Sequence, residues 1–320
     1  MQSSNRLENF PISFFAMIMG LSGLTISWEK AAALFQLGLS PATGLLWLTS
    51  AVFIVLATLY ATKVVRYQGQ VVAELRHPVK LNFFPAISIS LLLLSVAWIP
   101  MHEGLSEILW MTGASLHLMF TLYVVNIWIH HDHFEVHHMN PAWFIPAVGN
   151  VLVPVAGTHY GYMEISWFFF SVGMLFWVIL LTIIFNRILF HNPIDERLMP
   201  TMFILIAPPA VGFISYMKLT GDLDSFARFL YFSGLFLTLL LLTQAKRFIK
   251  LQFFLSWWAY SFPSAAITIA TLLMYEKTGL TAYRYLGMLF LTLLSMVLLV
   301  LIVKTAKAVM QHKICVSEKH

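Results

Sequence analysis

Uncharged apolar runs alternate with short polar connections along almost the whole chain, from Phe10 to Val303. The runs cover 10–28, 42–62, 83–101, 108–129, 142–158, 165–185, 199–217, 229–243, 254–275 and 285–303, and none contains Lys, Arg, Asp or Glu. A helix needs about 20 residues to cross a bilayer. The pattern therefore predicts an all-α integral membrane protein of ten transmembrane helices, with no room for a soluble domain. One membrane domain, 1–320, accounts for the sequence, with short tails at 1–9 and 312–320. Prolines divide the runs further: they fall inside the odd-numbered runs and never inside the even-numbered ones. Five broken helices ringed by five intact ones is the layout this predicts, with a central pore.

Aligning the odd runs on their prolines brings out a repeat: Phe10-Pro11, Phe84-Pro85-Ala86, Ile145-Pro146-Ala147, Pro208-Pro209-Ala210 and Phe262-Pro263-Ser264. Spacings of 74, 61, 62 and 55 residues point to one helical hairpin used five times in a quasi-five-fold arrangement. Pro11 begins its run instead of interrupting it, and Pro200 competes with Pro208 for the register. Proline removes a backbone donor and crowds the preceding turn, leaving a gap that lipid cannot satisfy. Helices kinked at Pro85, Pro146, Pro154, Pro208, Pro209 and Pro263 must then face protein or water, with the even helices outside them. Gly20, Gly23, Gly149, Gly157 and Gly212 add small residues to the odd set, which suits close packing near an axis.

Composition agrees with this class: 59% of residues are hydrophobic, 10% are charged and the mean hydropathy is +0.81. Of the 19 Lys and Arg, all but Lys30, Lys218, Arg228, Lys277 and Arg284 sit at the N-terminus or in connections after even runs. That asymmetry places both termini in the cytoplasm. Trp28, Trp47, Trp98, Trp143, Trp257 and Trp258 lie near run ends, where they act as interfacial anchors. The first run has no cleavage pattern behind it and is expected to stay in the mature protein. A single cysteine, Cys315, excludes an internal disulfide and a thiolate metal site.

These proline-marked hairpins, with Phe15-Ala-Met-Ile-Met-Gly20-Leu21-Ser22 in the first run and Ser261-Phe262-Pro263 in the ninth, resemble one family over essentially the whole chain. It is the family of the bacterial tellurite-resistance protein TehA, the plant slow-type anion channels and the fungal malate permeases. The resemblance implies a homotrimer in an inner (plasma) membrane, with a pore in every protomer. It maps the family's gating phenylalanine onto Phe262. The short termini offer no counterpart to the phosphorylated cytosolic tails of the plant members.

Phe262 also suits a plug on physical grounds, since it lies about 10 Å into the ninth run and directly precedes a proline. A ring in a narrow apolar conduit blocks sterically and by dewetting. Any one of the 27 phenylalanines is otherwise a core or lipid-facing residue. No run offers a carboxylate for coupling to protons or sodium. His117, the one ionisable group within a run, reads as a packed residue before a proton relay. Passive conduction of small inorganic anions such as chloride and nitrate follows, with no cofactor, metal or nucleic acid. Parallel helix N-termini and basic loops would concentrate anions at the cytoplasmic mouth. Carbonyl oxygens freed by proline would oppose this if they faced the lumen. A carrier or exporter of dicarboxylates or tellurite-type oxyanions is the alternative.

The chain also carries five histidines in nine residues, His130-His131-Asp132-His133-Phe134-Glu135-Val136-His137-His138. A di-iron membrane enzyme needs several such boxes to fill two coordination spheres, and no second box exists. A solvated turn is the plain reading. A metal-binding or pH-sensing loop is the other.

Overall fold

The computed structural model describes residues 6–130 and 134–315, and these are helical with no strand among them. Eight helices among them are long and apolar enough to cross a membrane: Ile12–Phe35, Ala42–Arg66, Lys80–Trp98, Glu103–His130, Met163–Phe190, Met199–Thr220, Ser225–Leu242 and Thr281–Met310. The two remaining apolar runs are also helical but differ from the expected spans. Pro141–Gly157, the fifth, is shorter and is broken into 3-10 and α turns. The ninth, Leu255–Tyr260 continued by Ser261–Thr278, carries Ser261, Ser264, Thr268, Thr271, Glu276 and Lys277, which lower its hydropathy.

Inner and outer positions separate by burial. In Ile12–Phe35, Lys80–Trp98 and Met199–Thr220, 67%, 78% and 72% of the most apolar window is buried, whereas the even helices bury between 22% and 39%. Uniformly hydrophobic outer faces such as Ile54, Val55, Phe236 and Leu299 stay exposed, as lipid contact requires. The packing order is cyclic. The first odd segment packs on the third, the third on the fifth, the fifth on the seventh, the seventh on the ninth, and the ninth back on the first. Each even helix packs against the odd segments before and after it, and Thr281–Met310 spans the ninth and the first.

The odd segments share one local construction. Each opens with 3-10 turns, at Ile12–Phe14, Lys80–Phe83, Pro141–Trp143, Met199–Ile206 and Leu255–Tyr260, and then converts to α-helix. Prolines mark the conversion instead of interrupting an established helix. Pro85 is the N-cap of Ala86–Trp98, and Pro154 and Pro208 lie at the second position of their helices. Pro146 and Pro263 lie at the third. In the first turn an N–H has no intrahelical partner, so proline sacrifices nothing there. The carbonyl four residues back is taken by the residue before the proline: Phe84 donates to Leu81 O at 3.3 Å, Val153 to Asn150 O and Ala207 to Ile204 O. The gap expected from the sequence is thus closed by i to i+3 bonding. Gly221 and Gly279, at φ 77° and 65°, end the seventh and ninth segments in the left-handed conformation that glycine adopts without strain.

Candidate functional site: an apolar cavity shared by the odd segments

The odd segments enclose a cavity of about 40 Å³ to which all five contribute side chains. Met19 comes from the first, Ile89 from the third, Val148 and Leu152 from the fifth, Val211 from the seventh and Phe262 from the ninth. Every lining residue is apolar. A buried water needs two to four polar partners, and this lining offers none from its side chains.

Phe262 is held from its backbone. The Ser261 hydroxyl donates to Trp258 O at 2.6 Å, and the buried Trp258 indole donates to Thr305 Oγ1 at 3.0 Å. Gly20 lets the first segment close on this turn, since a Cβ there would lie 2.6 Å from Ser261 Cβ. One turn on, a Cβ at Gly23 would meet the Phe262 ring at 3.6 Å. The half-buried ring therefore stands between the first and ninth segments with one edge on the cavity.

Backbone carbonyls around the cavity are taken up by donors of the protein. Ser88 donates to Pro85 O at 2.8 Å, Thr121 to Pro146 O at 2.7 Å, Trp110 to Val153 O at 2.8 Å and Ser215 to Val151 O. Lys63 Nζ does the same for Phe10 O at 2.9 Å. Each of these carbonyls thus has at least one hydrogen-bond donor within the protein.

Of the prolines singled out in the sequence, Pro208 lines the cavity, while Pro85, Pro146, Pro154, Pro209 and Pro263 lie at the helix starts behind its wall. Gly149 lines it beside Ile89, and its missing Cβ leaves room for the His117 ring and Ile89 Cδ1. Gly20 faces the ninth segment, and Gly212 faces outward to Met174 and Leu230. His117 is fully buried, and its Nδ1 lies 2.8 Å from Ser88 Oγ. Thr121, one turn further, joins Asn150 Nδ2 at 2.9 Å in the same buried network. Gly149→Ala would set a Cβ 2.6 Å from the His117 ring and 2.7 Å from Ile89 Cδ1. Overpacking of this kind costs about 1–3 kcal/mol. The expected result is a lowered midpoint of thermal unfolding for the purified protein, and an unchanged midpoint would show that the wall yields freely.

Met19, Ile89, Val148, Leu152 and Val211 carry no sequence signal. They are ordinary apolar residues whose faces are set by packing. In the histidine cluster, His131, Asp132 and His133 lie outside the described residues. His137 Nδ1 pairs with Glu135 Oε2 at 3.1 Å on an exposed 3-10 turn. Among the described residues no three His, Cys, Asp or Glu side chains are grouped to hold a metal ion.

Residues 9–306 match the voltage-dependent anion channel family, SLAC1. The chain belongs to this family. It is 26% identical to the tellurite resistance protein TehA homolog of Haemophilus influenzae over 88% of its own length and 86% of that protein. It is 30% identical to the S-type anion channel SLAH3 of Arabidopsis thaliana over 83% of its length, but spans only 43% of that relative. For the guard cell S-type anion channel SLAC1 of the same plant the figures are 26%, 83% and 50%. Membership in a family of channels and transporters, together with its apolar helices, makes this a multi-pass membrane protein.

Proposed function

We propose that the protein is a gated channel for small monovalent anions, chloride and nitrate among them, with a pore through each protomer occluded by Phe262. The ten helical segments are read as five hairpins in a quasi-five-fold array, odd segments around the pore and even ones against lipid. The cyclic packing of the odd segments supports this. Both termini face the cytoplasm, the odd segments run outward from it in parallel, and three protomers assemble. This orientation rests on the positive-inside bias, and the trimer on the family.

One observation carries the reading: a wholly apolar cavity bounded by all five odd segments, with a phenylalanine ring in its wall. Ions cross such a constriction only when it widens and wets. A carrier coupled to protons would need a titratable group at the site, and none lines this cavity. Anion preference arises from the field. Five parallel helices present roughly half a positive charge each at the cytoplasmic mouth, and the junction carbonyls are occupied by protein donors.

With no fixed charge in the constriction, discrimination rests on dehydration cost and size, so nitrate is expected to permeate more readily than chloride. Membrane current under a nitrate–chloride gradient tests this, and a permeability order with chloride above nitrate would count against it. Labelled malate accumulating uphill when the pH is stepped, in membranes that carry no anion current, would establish the carrier instead.

A further inference from the structure

The far ends of the odd segments present an electrostatic problem that the cavity does not solve. Parallel helices that attract anions at their N-termini leave about half a negative charge each at their C-termini. Anions at that mouth are repelled unless something offsets the field.

The apolar runs stop at Trp28, Met217 and Tyr275, but the helices run on to Phe35, Thr220 and Thr278 and carry charged side chains on the added turns. These are Glu29 and Lys30 on the first segment, Lys218 on the seventh, and Glu276 and Lys277 on the ninth. Register places three of them in line with the cavity. Seven residues is two helical turns with a drift of about 20°. Lys218 lies seven residues beyond Val211, Glu276 fourteen beyond Phe262, and Lys30 seven beyond Gly23, against which the Phe262 ring packs. Lys218 thus sits about 10 Å along the axis from the cavity wall.

Their partners are unequal. Lys30 Nζ is paired with Glu276 Oε2, and Lys277 Nζ donates to Gly221 O at 2.9 Å. Lys218 keeps an exposed surface but is partly desolvated by the groups packed around it; it has no hydrogen bond or ion pair among the described residues, and Lys30, Glu276 and Lys277 act on it electrostatically. Among the charges that act on Lys218, Lys30 and Lys277 outweigh Glu276, so its immediate surroundings are positive. Over the whole mouth Glu29, Glu103, Glu107, Glu164, Asp222, Asp224 and Glu276 face Lys30, Lys218, Arg228, Lys277 and Arg284. The cluster's one uncommitted cation, Lys218, lies on the cavity face of its helix.

We propose that Lys218, with the Lys30–Glu276 pair beside it, forms a weak anion-binding site at the C-terminal mouth of the pore. It collects small inorganic anions where the helix dipoles would repel them. Lys30 is neutralised by Glu276 and shapes the site, while Lys218 supplies the charge. The site is weak by requirement, since an anion must leave again to be conducted.

This inference rests on the channel reading and is tested in its open background. Currents of Phe262→Ala are compared with those of Phe262→Ala carrying Lys218→Gln or Lys218→Arg, in symmetric nitrate at about 10 mM and about 1 M, where the screening lengths are about 30 and 3 Å. At low salt, Lys218→Gln is expected to cut the current of anions entering from the C-terminal mouth about threefold. Current in the opposite direction should change less, so the current–voltage curve bends. Lys218→Arg should keep the parent curve, and at about 1 M all three curves should converge. A low-salt curve of unchanged shape for Lys218→Gln overturns the mouth site alone. Absence of any anion current in the Phe262→Ala parent overturns the channel reading and the mouth site with it.

Discussion

Phe262→Ala is expected to raise anion current at least about tenfold over the wild type at equal surface expression. On the proposed reading, the wild-type ring, which lies between the first and ninth segments, has to leave its place before the cavity widens and wets. Turning the ring about 30° off its staggered rotamer already costs about 0.5–1.5 kcal/mol, and admitting water to an apolar constriction adds to it. Each 1.4 kcal/mol is a factor of ten in rate, so even a modest barrier at this ring gives a large gain when it is removed. Side-chain size should grade the effect, with Phe262→Leu between the wild type and alanine. Because the Ser261–Trp258–Thr305 chain fixes the backbone independently of the ring, the variant should fold as the wild type does. Equal wild-type and variant currents would remove Phe262 from the gate.

The second large effect lies at the start of the first segment and concerns stability. Lys63, 1% exposed, pairs with Glu74 Oε2 at 3.1 Å and donates to Phe10 O at 2.9 Å, while Tyr60 donates to the same carboxylate oxygen at 2.9 Å. The cluster ties Ala42–Arg66, the short helix Gln68–Arg76 and the residue before Pro11 into one unit. Lys63→Ala leaves a buried carboxylate without its counter-charge, which costs about 3–5 kcal/mol. The expected outcome is a large fall in the thermal midpoint in detergent, with loss of folded yield. In Lys63→Met combined with Glu74→Gln no charge is left stranded, and the double variant should recover most of the loss. A single variant within about 1 kcal/mol of the wild type would show that water reaches the pair.

Much of the helical layout was legible from the sequence because lipid imposes simple rules. An apolar run without charges has few alternatives to a spanning helix. Proline parity separated buried from exposed helices, and the burial contrast between Lys80–Trp98 at 78% and Ala42–Arg66 at 22% follows that division. Local geometry was less accessible. The 3-10 break within the fifth segment, Gly149–Leu152, and the α-turn after it receive donors from elsewhere, Ser215 on the carbonyl of Val151 and Trp110 on that of Val153. A sequence read one helix at a time does not see them. The same limit hid Lys63, which reads as a loop charge at the end of an apolar run yet is buried against Glu74. Lys30, Lys218 and Lys277 likewise read as flanking charges, although they lie on the helices of the odd segments, which continue one or two turns past the apolar runs. Hydropathy marks where apolar sequence stops, not where hydrogen-bonded helix stops.

Within the candidate site, Phe262 stood out through its neighbouring proline and the family motif, but its place on the cavity wall depends on how five segments are rotated about their axes. Val211 and Leu152 illustrate the difficulty. Each is one aliphatic residue among many in an apolar helix. Only the outer contacts of its segment, Gly212 against Met174 and Gly173 against Val151, turn a given face inward.

The reversal potential of Phe262→Ala current under a tenfold nitrate gradient, measured with and without an opposing proton gradient, tests the channel most directly. A Phe262-gated anion pore predicts reversal close to the nitrate equilibrium potential and no shift when the proton gradient is imposed. Reversal that follows the proton gradient, or that tracks the cation, would contradict it.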